Sequence, residues 1–243
     1  MNRQKIRKTI LLISFLLFPI TIWYFSPYLI IQATFQHILN GSFFVFMAML
    51  IFSIFAGRIW CGYFCPAGGL QEYCATINEK PAKQGWKNQI KYILWIIWII
   101  VIISIFLIGS NPVTINFFYM TKYGISIHEV MHYIIYYVVL IVLFLPSLIY
   151  GKRATCHYLC WMAPFMVIGS SFGKTLHVPQ LHIELENKKC ISCKKCNKIC
   201  PMGLNVDEMM KKDSYHTECI QCGACVDICR KNALKYKFLW NKN

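Results

Sequence analysis

The chain reads as an α-helical membrane region joined to a small α+β domain, and its composition, apolar runs and cysteine clustering each lead there. Hydrophobic residues make up 57% of the 243 residues, and the mean hydropathy is +0.46. Charge is confined to short tracts and the C-terminal tail, which also holds eight of the thirteen cysteines.

Four apolar stretches carry the membrane reading: Ile10 to Phe25, Phe43 to Ala56, Ile90 to Ile108 and Val130 to Tyr150. Each approaches or reaches the ~20 residues that cross a bilayer core. The second is the shortest and extends backward through Ile38. None alternates as barrel strands do, so helices are the expected spanning form. Arg3, Lys5, Arg7 and Lys8 precede the first stretch, Arg58, Lys80, Lys83, Lys87 and Lys91 lie between the second and third, and Lys152 and Arg153 follow the fourth. Residues 26–42 carry no Lys or Arg, and 109–129 only Lys122. The positive-inside rule then predicts a multi-pass protein of a prokaryotic cytoplasmic (inner) membrane, with both termini and the tail on the cytoplasmic side. The bulky residues after the basic start offer no signal-peptidase site, which predicts an uncleaved first anchor.

The tail supplies the chemistry. Cys190, Cys193, Cys196 and Cys200 recur with the same spacing as Cys219, Cys222, Cys225 and Cys229. In such runs three thiolates hold one cubane and the fourth reaches the neighbouring cluster. Two 4Fe-4S clusters are therefore expected, one on Cys190, Cys193, Cys196 and Cys229, the other on Cys219, Cys222, Cys225 and Cys200. Structural zinc is the competing reading, but zinc favours paired CxxC knuckles over runs of four. Leu181 to Leu185 and Leu234 to Leu239 are expected to be the edge strands of a bacterial 2x(4Fe-4S) ferredoxin-like domain, entered at Pro179. Reduced thiolates exclude a disulfide framework.

Four further cysteines form an internal repeat. Cys61 and Cys65 recur 95 residues later as Cys156 and Cys160, both within Arg-x-x-Cys-x-Tyr-x-Cys, at the ends of the second and fourth stretches. Two crossings separate the copies, so two parallel helix-pair repeats are expected to build a four-helix transmembrane region. Both pairs should meet at the cytoplasmic surface, each presenting two sulfurs from one helical face. They are candidates for a further metal or cluster, or for dithiol chemistry; buried packing is the alternative. Cys74 lacks a counterpart and is expected to be an ordinary thiol. Trp161 to Phe172 is too short to cross and is expected to lie in the interface. The division is thus 1–173 for the membrane region and 174–243 for the ferredoxin-type domain.

With these motifs the chain resembles the membrane-bound 4Fe-4S polyferredoxins that serve as quinol dehydrogenase subunits of periplasmic nitrate reduction. That family is related to the nitrous-oxide-reduction regulator and the cytochrome-oxidase accessory polyferredoxin. Cys61 and Cys65-Pro66 match its first CxxxCP motif, Cys156 and Cys160 the second, and the eight tail cysteines its cluster ligands. Two departures are Pro164, displaced from the second motif, and Arg230, standing where a proline would follow Cys229. The resemblance implies an iron-sulfur electron-transfer component of an oxidoreductase, with membrane lipid, a quinone and a protein redox partner as its contacts. A metal-ion reductase handling copper, a metallocentre assembly factor and a non-catalytic redox sensor are the alternatives.

Charge and the remaining motifs narrow this reading. The formal net charge is +15, but no nucleic-acid module accompanies it, so anionic lipid or an acidic carrier is the expected complement. There is no dinucleotide-binding glycine fingerprint and no CxxCH haem motif. Lys188, Lys189, Lys194, Lys195 and Lys198 crowd the first run, which predicts a higher potential for its cluster. A quinone would find polar groups in the outer loop, at Asn116, Tyr119, Lys122, Tyr123, His128 and Glu129. His157, inside the second CxxxC, is the candidate ligand or proton relay.

Overall fold

The computed structural model describes residues 3–83, 85–109, 112–212 and 216–239. Helix α1 (Arg3–Leu16) leads into a short α2 (Phe18–Thr21) and a 3-10 turn (Ile22–Phe25), bent from α1 by 58°. The expected first span is thus broken, and Pro19 is the cause: it has no N–H to continue the helix. The bend is held from the outer loop, where Ser126 N and Oγ donate to Ile20 O at 3.1 and 2.6 Å and Ile127 N donates to Pro19 O at 3.3 Å. Helix α3 (Pro27–Phe35) and strand β1 (Ile38–Asn40) follow, and Asn40 Oδ1 caps α4 (Gly41–Ala56) by accepting from Phe43 N. Helix α4 has 16 residues, about 24 Å of rise, less than a bilayer core.

Among the described residues two helices are long and apolar enough to cross a membrane: α7 (Ile90–Ile108), counted with its leading turn from Trp86, and α8 (Val130–Tyr150). Lys91 is the one fully buried residue of α7; Trp95, Trp98, Ile99 and Ile102 pack against the body, and the opposite face, with Ile93, Ile97 and Ile100, is exposed. At the outer end β2 (Thr114–Asn116) pairs parallel with β1. Of the four expected spans, two reach spanning length, the first is a bent pair and the second, α4, falls short.

The chain reverses after both α4 and α8. Gly57 (φ 54°) and Gly151 (φ 101°) end those helices in the left-handed region that glycine enters without penalty. One-turn helices α5 (Ile59–Tyr63) and α9 (Ala154–Tyr158) come next, at the same 95-residue offset as the cysteines. Helices α6 (Pro66–Cys74) and α10 (Ala163–Thr175) then run beside the long helices of the opposite half. Helix α10 lies along α4, with the Phe46 and Phe165 ring centroids 5.1 Å apart and Gly169 against Leu50 and Ser53. One face of the stretch expected at the interface is therefore packed against α4, where its small residues fit, while Ile168 and Phe172 on the other are exposed. In the other half, Ser147 Oγ of α8 donates to Gln71 Oε1 of α6 at 3.0 Å. Pro146 leaves the last turns of α8 short of an N–H donor. The Thr155 hydroxyl supplies one, lying 3.5 Å from Val142 O, the carbonyl a residue-146 N–H would have met, and 3.0 Å from Leu143 O.

The head follows. Strands β3 (Gln180–Leu185) and β4 (Leu234–Leu239) pair antiparallel, Gln180 opposite Leu239 and Leu185 opposite Leu234. Between them lie α11 (Lys195–Ile199), α12 (Val206–Lys211) and α13 (Ala224–Ile228). The two cysteine runs repeat at an offset of 29 residues, and so does their backbone. Ser192, Lys194 and Gly203 of the first run and Gln221, Gly223 and Asn232 of the second all have positive φ.

Buried charge locks head to body. Glu218 accepts from Arg58 Nη1 at 2.9 Å and from Lys91 Nζ; Glu72 accepts from Arg7 and, at 2.7 Å, from Arg153 Nη2. These four cations are at most 2% exposed. On the rim, Arg3 Nη2 donates to Asp227 Oδ1 at 2.6 Å and Gln4 Nε2 to Cys222 O at 3.1 Å. Burial alone would raise the Glu72 pKa, but Arg153 and Arg7 hold it near 2 against an ordinary 4.5. Its stabilising contribution is complete above the ordinary value and is lost as pH falls from about 4.5 to about 2. Glu72→Ala strands two buried cations and should cost ~3–5 kcal/mol near neutral pH. The difference from wild type should shrink below pH ~4.5, as read by thermal unfolding followed through helix dichroism in detergent.

Candidate iron-sulfur sites

Each crosswise set of tail cysteines faces one space. Cys190, Cys193, Cys196 and Cys229 line an open cavity of about 420 Å³ walled entirely by head residues. Cys200, Cys219, Cys222 and Cys225 line a smaller cavity of about 20 Å³. The left-handed residues in each run turn the short loops around these spaces. Burial pushes the Cys219 thiol up to about 12 and Cys200 to about 11, with neighbouring thiols adding to the shift. Such groups become thiolates when a bound cationic centre takes the charge. The donor sets fit 4Fe-4S clusters, which would supply reversible one-electron transfer when bound.

The two spaces differ in surroundings. Cys200, Cys222 and Cys225 belong to one buried cluster with Cys61, Cys156 and Met166 of the helical body. Gly62 makes this possible, since a Cβ there would stand 2.5 Å from Ile220 O. The other cavity opens to solvent, with Cys193 and Ile191 exposed. Lys189, Lys194, Lys195, Arg230 and Lys231 stand around it with Asp207 as the one carboxylate among the described lining residues, and Lys189 also pairs with Glu186 at 2.8 Å.

The four cysteines of the repeat converge inside the helical body. Cys61, Cys65 and Cys156 are buried and Cys160 is half-buried. Cys65 shares a buried cluster with Ile30, Phe46, Met49, Met162 and Phe165. Met49 lies seven residues before the end of α4, so the chain has turned back by about 10 Å. The pairs therefore lie buried beneath the head. The shared helical face is also corrected: α5 and α9 end before Cys65 and Cys160, and Cys65 is the N-cap of α6. A broken turn aims the second thiol of each pair.

Charge and hydrogen bonding around this quartet follow the repeat. Burial raises Cys65, and Cys61, Cys156 and Cys160 raise it further; burial and its neighbours push Cys160 up to about 12. Burial raises Cys156 too, while Arg153 and Arg58, the paired arginines of the repeat, pull it the other way. Arg153 Nη1 donates to Cys61 O at 2.9 Å. Gln71 donates from Nε2 to Cys156 Sγ and accepts from Cys156 N, both at 3.2 Å. Among the described residues no three His, Cys, Asp or Glu side chains are close enough to share one metal ion.

His157 occupies the repeat position of Gly62 and also meets the head, with Nε2 3.0 Å from Met202 O and Nδ1 3.7 Å from Glu218 Oε2. Burial lowers its pKa to about 4 despite Glu218, so it is neutral at physiological pH. His128 and His132 stack at 4.7 Å near Trp23 at the outer end, a helix length from the quartet and from both tail sets. Sequence reasoning missed Glu72, Glu218 and Gln71. The signal for the first was there: residues 1–172 hold three acidic side chains, Glu72, Glu79 and Glu129.

A helical body with cysteine turns beneath a cysteine-rich head defines an iron-sulfur protein of the 4Fe-4S ferredoxin class. A family model described as a 4Fe-4S binding domain matches residues 41–81 and 132–179, the two cysteine turns, and a 4Fe-4S dicluster domain matches 189–234. An uncharacterized protein of Methanocaldococcus jannaschii is 24% identical over 85% of this chain and 85% of its own. Protein RdxA of Cereibacter sphaeroides is 22% identical over 88% of this chain and 47% of its own. The putative electron transport protein YccM of Escherichia coli is 23% identical over 75% and 52%. The chain thus spans about half the length of RdxA and YccM. No solved structure matches. Over most of its length the chain is similar to these relatives, and both halves of its cysteine pattern match 4Fe-4S family models.

The cation ring around the outer cavity favours the more negative, reduced state of a centre held there. Lys189→Gln, Lys194→Gln and Lys195→Gln combined should lower the midpoint of that centre and leave the inner one unmoved in an EPR-monitored redox titration. The shift should shrink at high salt.

Proposed function

We propose that the protein is a membrane-anchored electron-transfer protein that passes electrons between a membrane quinone and a protein redox partner through two 4Fe-4S clusters. The observation that carries this reading is the placement of the two cysteine sets. One lies against the buried quartet of the helical body, and the other opens to solvent on a basic face. The inner cluster would be held by Cys219, Cys222, Cys225 and Cys200, the outer by Cys190, Cys193, Cys196 and Cys229. The exposed Cys193 rim, ringed by lysine, suits an acidic redox protein.

Residues 1–173 form the membrane unit and 174–243 the ferredoxin-type unit in this reading, with the head and both termini in the cytoplasm. The matched positions of α5 and α9, the exchange of α6 and α10 between halves, and the double family match support two parallel repeats. The quartet Cys61, Cys65, Cys156 and Cys160 is assigned as a third redox centre. Its wide spacing favours a multinuclear cluster, whose ligands bind different metal atoms, over a single copper or zinc ion.

The role of the chain in such transfer is positional. Glu218, clamped by Arg58 and Lys91, fixes the loop that leads into Cys219, and Gly62 lets that loop approach the quartet. Iron and sulfide analysis of anaerobically purified protein tests the assignment. About eight irons should survive in the Cys61/Cys65/Cys156/Cys160 quadruple serine variant, and extra metal should be lost. Equal metal in both proteins would remove the third centre, and fewer than about eight irons in the wild type would remove the two-cluster reading.

A further inference from the structure

A cavity of about 430 Å³ opens where α7 enters the helical body beneath the head. Asn88, Tyr92, Val167, His216, Thr217 and Glu218 form its wall. On one side α7 continues as lipid-facing surface, with Trp86 and Ile93 exposed. On the other, Glu218 is followed directly by Cys219, the first cysteine of the inner set. The cavity thus touches both the lipid-facing helix and a cluster loop, whereas neither space lined by the tail cysteines reaches α7.

The polar groups of this cavity are specific. Asn88 Oδ1 is buried without a hydrogen-bond partner, an acceptor that requires a donor. Glu218 N donates to His216 Nδ1 at 3.1 Å, so the ring proton resides on Nε2 and the imidazole keeps a donor. Both carboxylate oxygens of Glu218 are engaged by Arg58 and Lys91, so that side chain is a fixed wall. Tyr92 and Val167 add an aromatic ring and an apolar surface. A ligand matched to these features is flat, largely apolar, and carries oxygens that alternate between acceptor and donor.

We propose that this junction cavity binds the head group of a membrane quinone, with its apolar tail along the exposed face of α7. The inference rests on the electron-transfer reading above and names its membrane-side site. The hydroxyl of a bound quinol donates to Asn88 Oδ1, and a quinone carbonyl accepts from His216 Nε2. Oxidation of one quinol would release two electrons, for which clusters held by the two cysteine sets would be the one-electron acceptors, and two protons, which would leave through the open mouth of the cavity. The outer loop is the poorer site: the 19 residues of α7 separate it from the inner cysteine set by about 28 Å.

The test is photolabelling of the full-length protein in detergent with a short-chain azido-benzoquinone, beside Asn88→Leu and His216→Phe. Label is expected in the peptides carrying Asn88 to Tyr92 and His216 to Glu218. Each variant should need about tenfold more probe for half-maximal labelling, the effect of losing one well-made hydrogen bond. Iron content and the EPR signal after dithionite reduction should stay at wild-type levels, showing that head and clusters are intact. Label in residues 112–132, or labelling unchanged by both variants, overturns the site. In that case reducible clusters in the wild type would leave the electron-transfer reading standing, whereas their absence there would remove both.

Discussion

The architecture depends on two buried carboxylates, each held between two cations. Glu72 joins Arg7 of α1 to Arg153 of the second cysteine turn, and Glu218 joins Arg58 of the first cysteine turn to Lys91 of α7. Charges taken out of water are tolerated only when paired and hydrogen-bonded, so each bracket fixes the relative position of the elements that supply it. The first ties two halves of the body together, and the second ties the body to the head. The thiol quartet and the inner set of tail cysteines lie between these brackets, so their spacing is set by ion pairs that tolerate little displacement.

The arginines of the repeat show how one sequence position serves two ends. Arg58 and Arg153 each precede a cysteine by three residues, and each is fully buried beside the quartet. Burial and neighbouring thiols raise the pKa of Cys65, Cys156 and Cys160, and two fixed guanidiniums oppose that rise for Cys156. Hence the residues that organise the fold also favour the anionic state a metal centre requires. Gly62 and His157 diverge at one repeat position, but both place the head, one by allowing contact and the other by making it.

Much of this was legible in the sequence. The strands flanking the tail follow from alternation, and β3 and β4 fall where Leu181 to Leu185 and Leu234 to Leu239 were expected. Helices α7 and α8 follow from apolar length. The broken first span was less visible because Pro19 sits inside an otherwise apolar run, where hydropathy ignores backbone donors. The reversals at Gly57 and Gly151 were hidden for a related reason: a four-residue cysteine spacing suggests one helical face, whereas positive φ and a one-turn helix redirect the second thiol. Lys91, Arg58 and Arg153 were counted as flanking charges of the membrane spans. A sequence window does not contain their partners, Glu218 lying 127 residues from Lys91.

The head closes over the cysteine turns by backbone contact, with no room for a side chain between Gly62 and Ile220. Head and body must therefore part before Cys61 and Cys156, which the closed head covers, can be reached from that side. The head is also the last part of the described chain to be made, so the order of synthesis becomes an order of maturation. The cysteine turns are made first, and seating of the finished head then closes over Cys61 and Cys156.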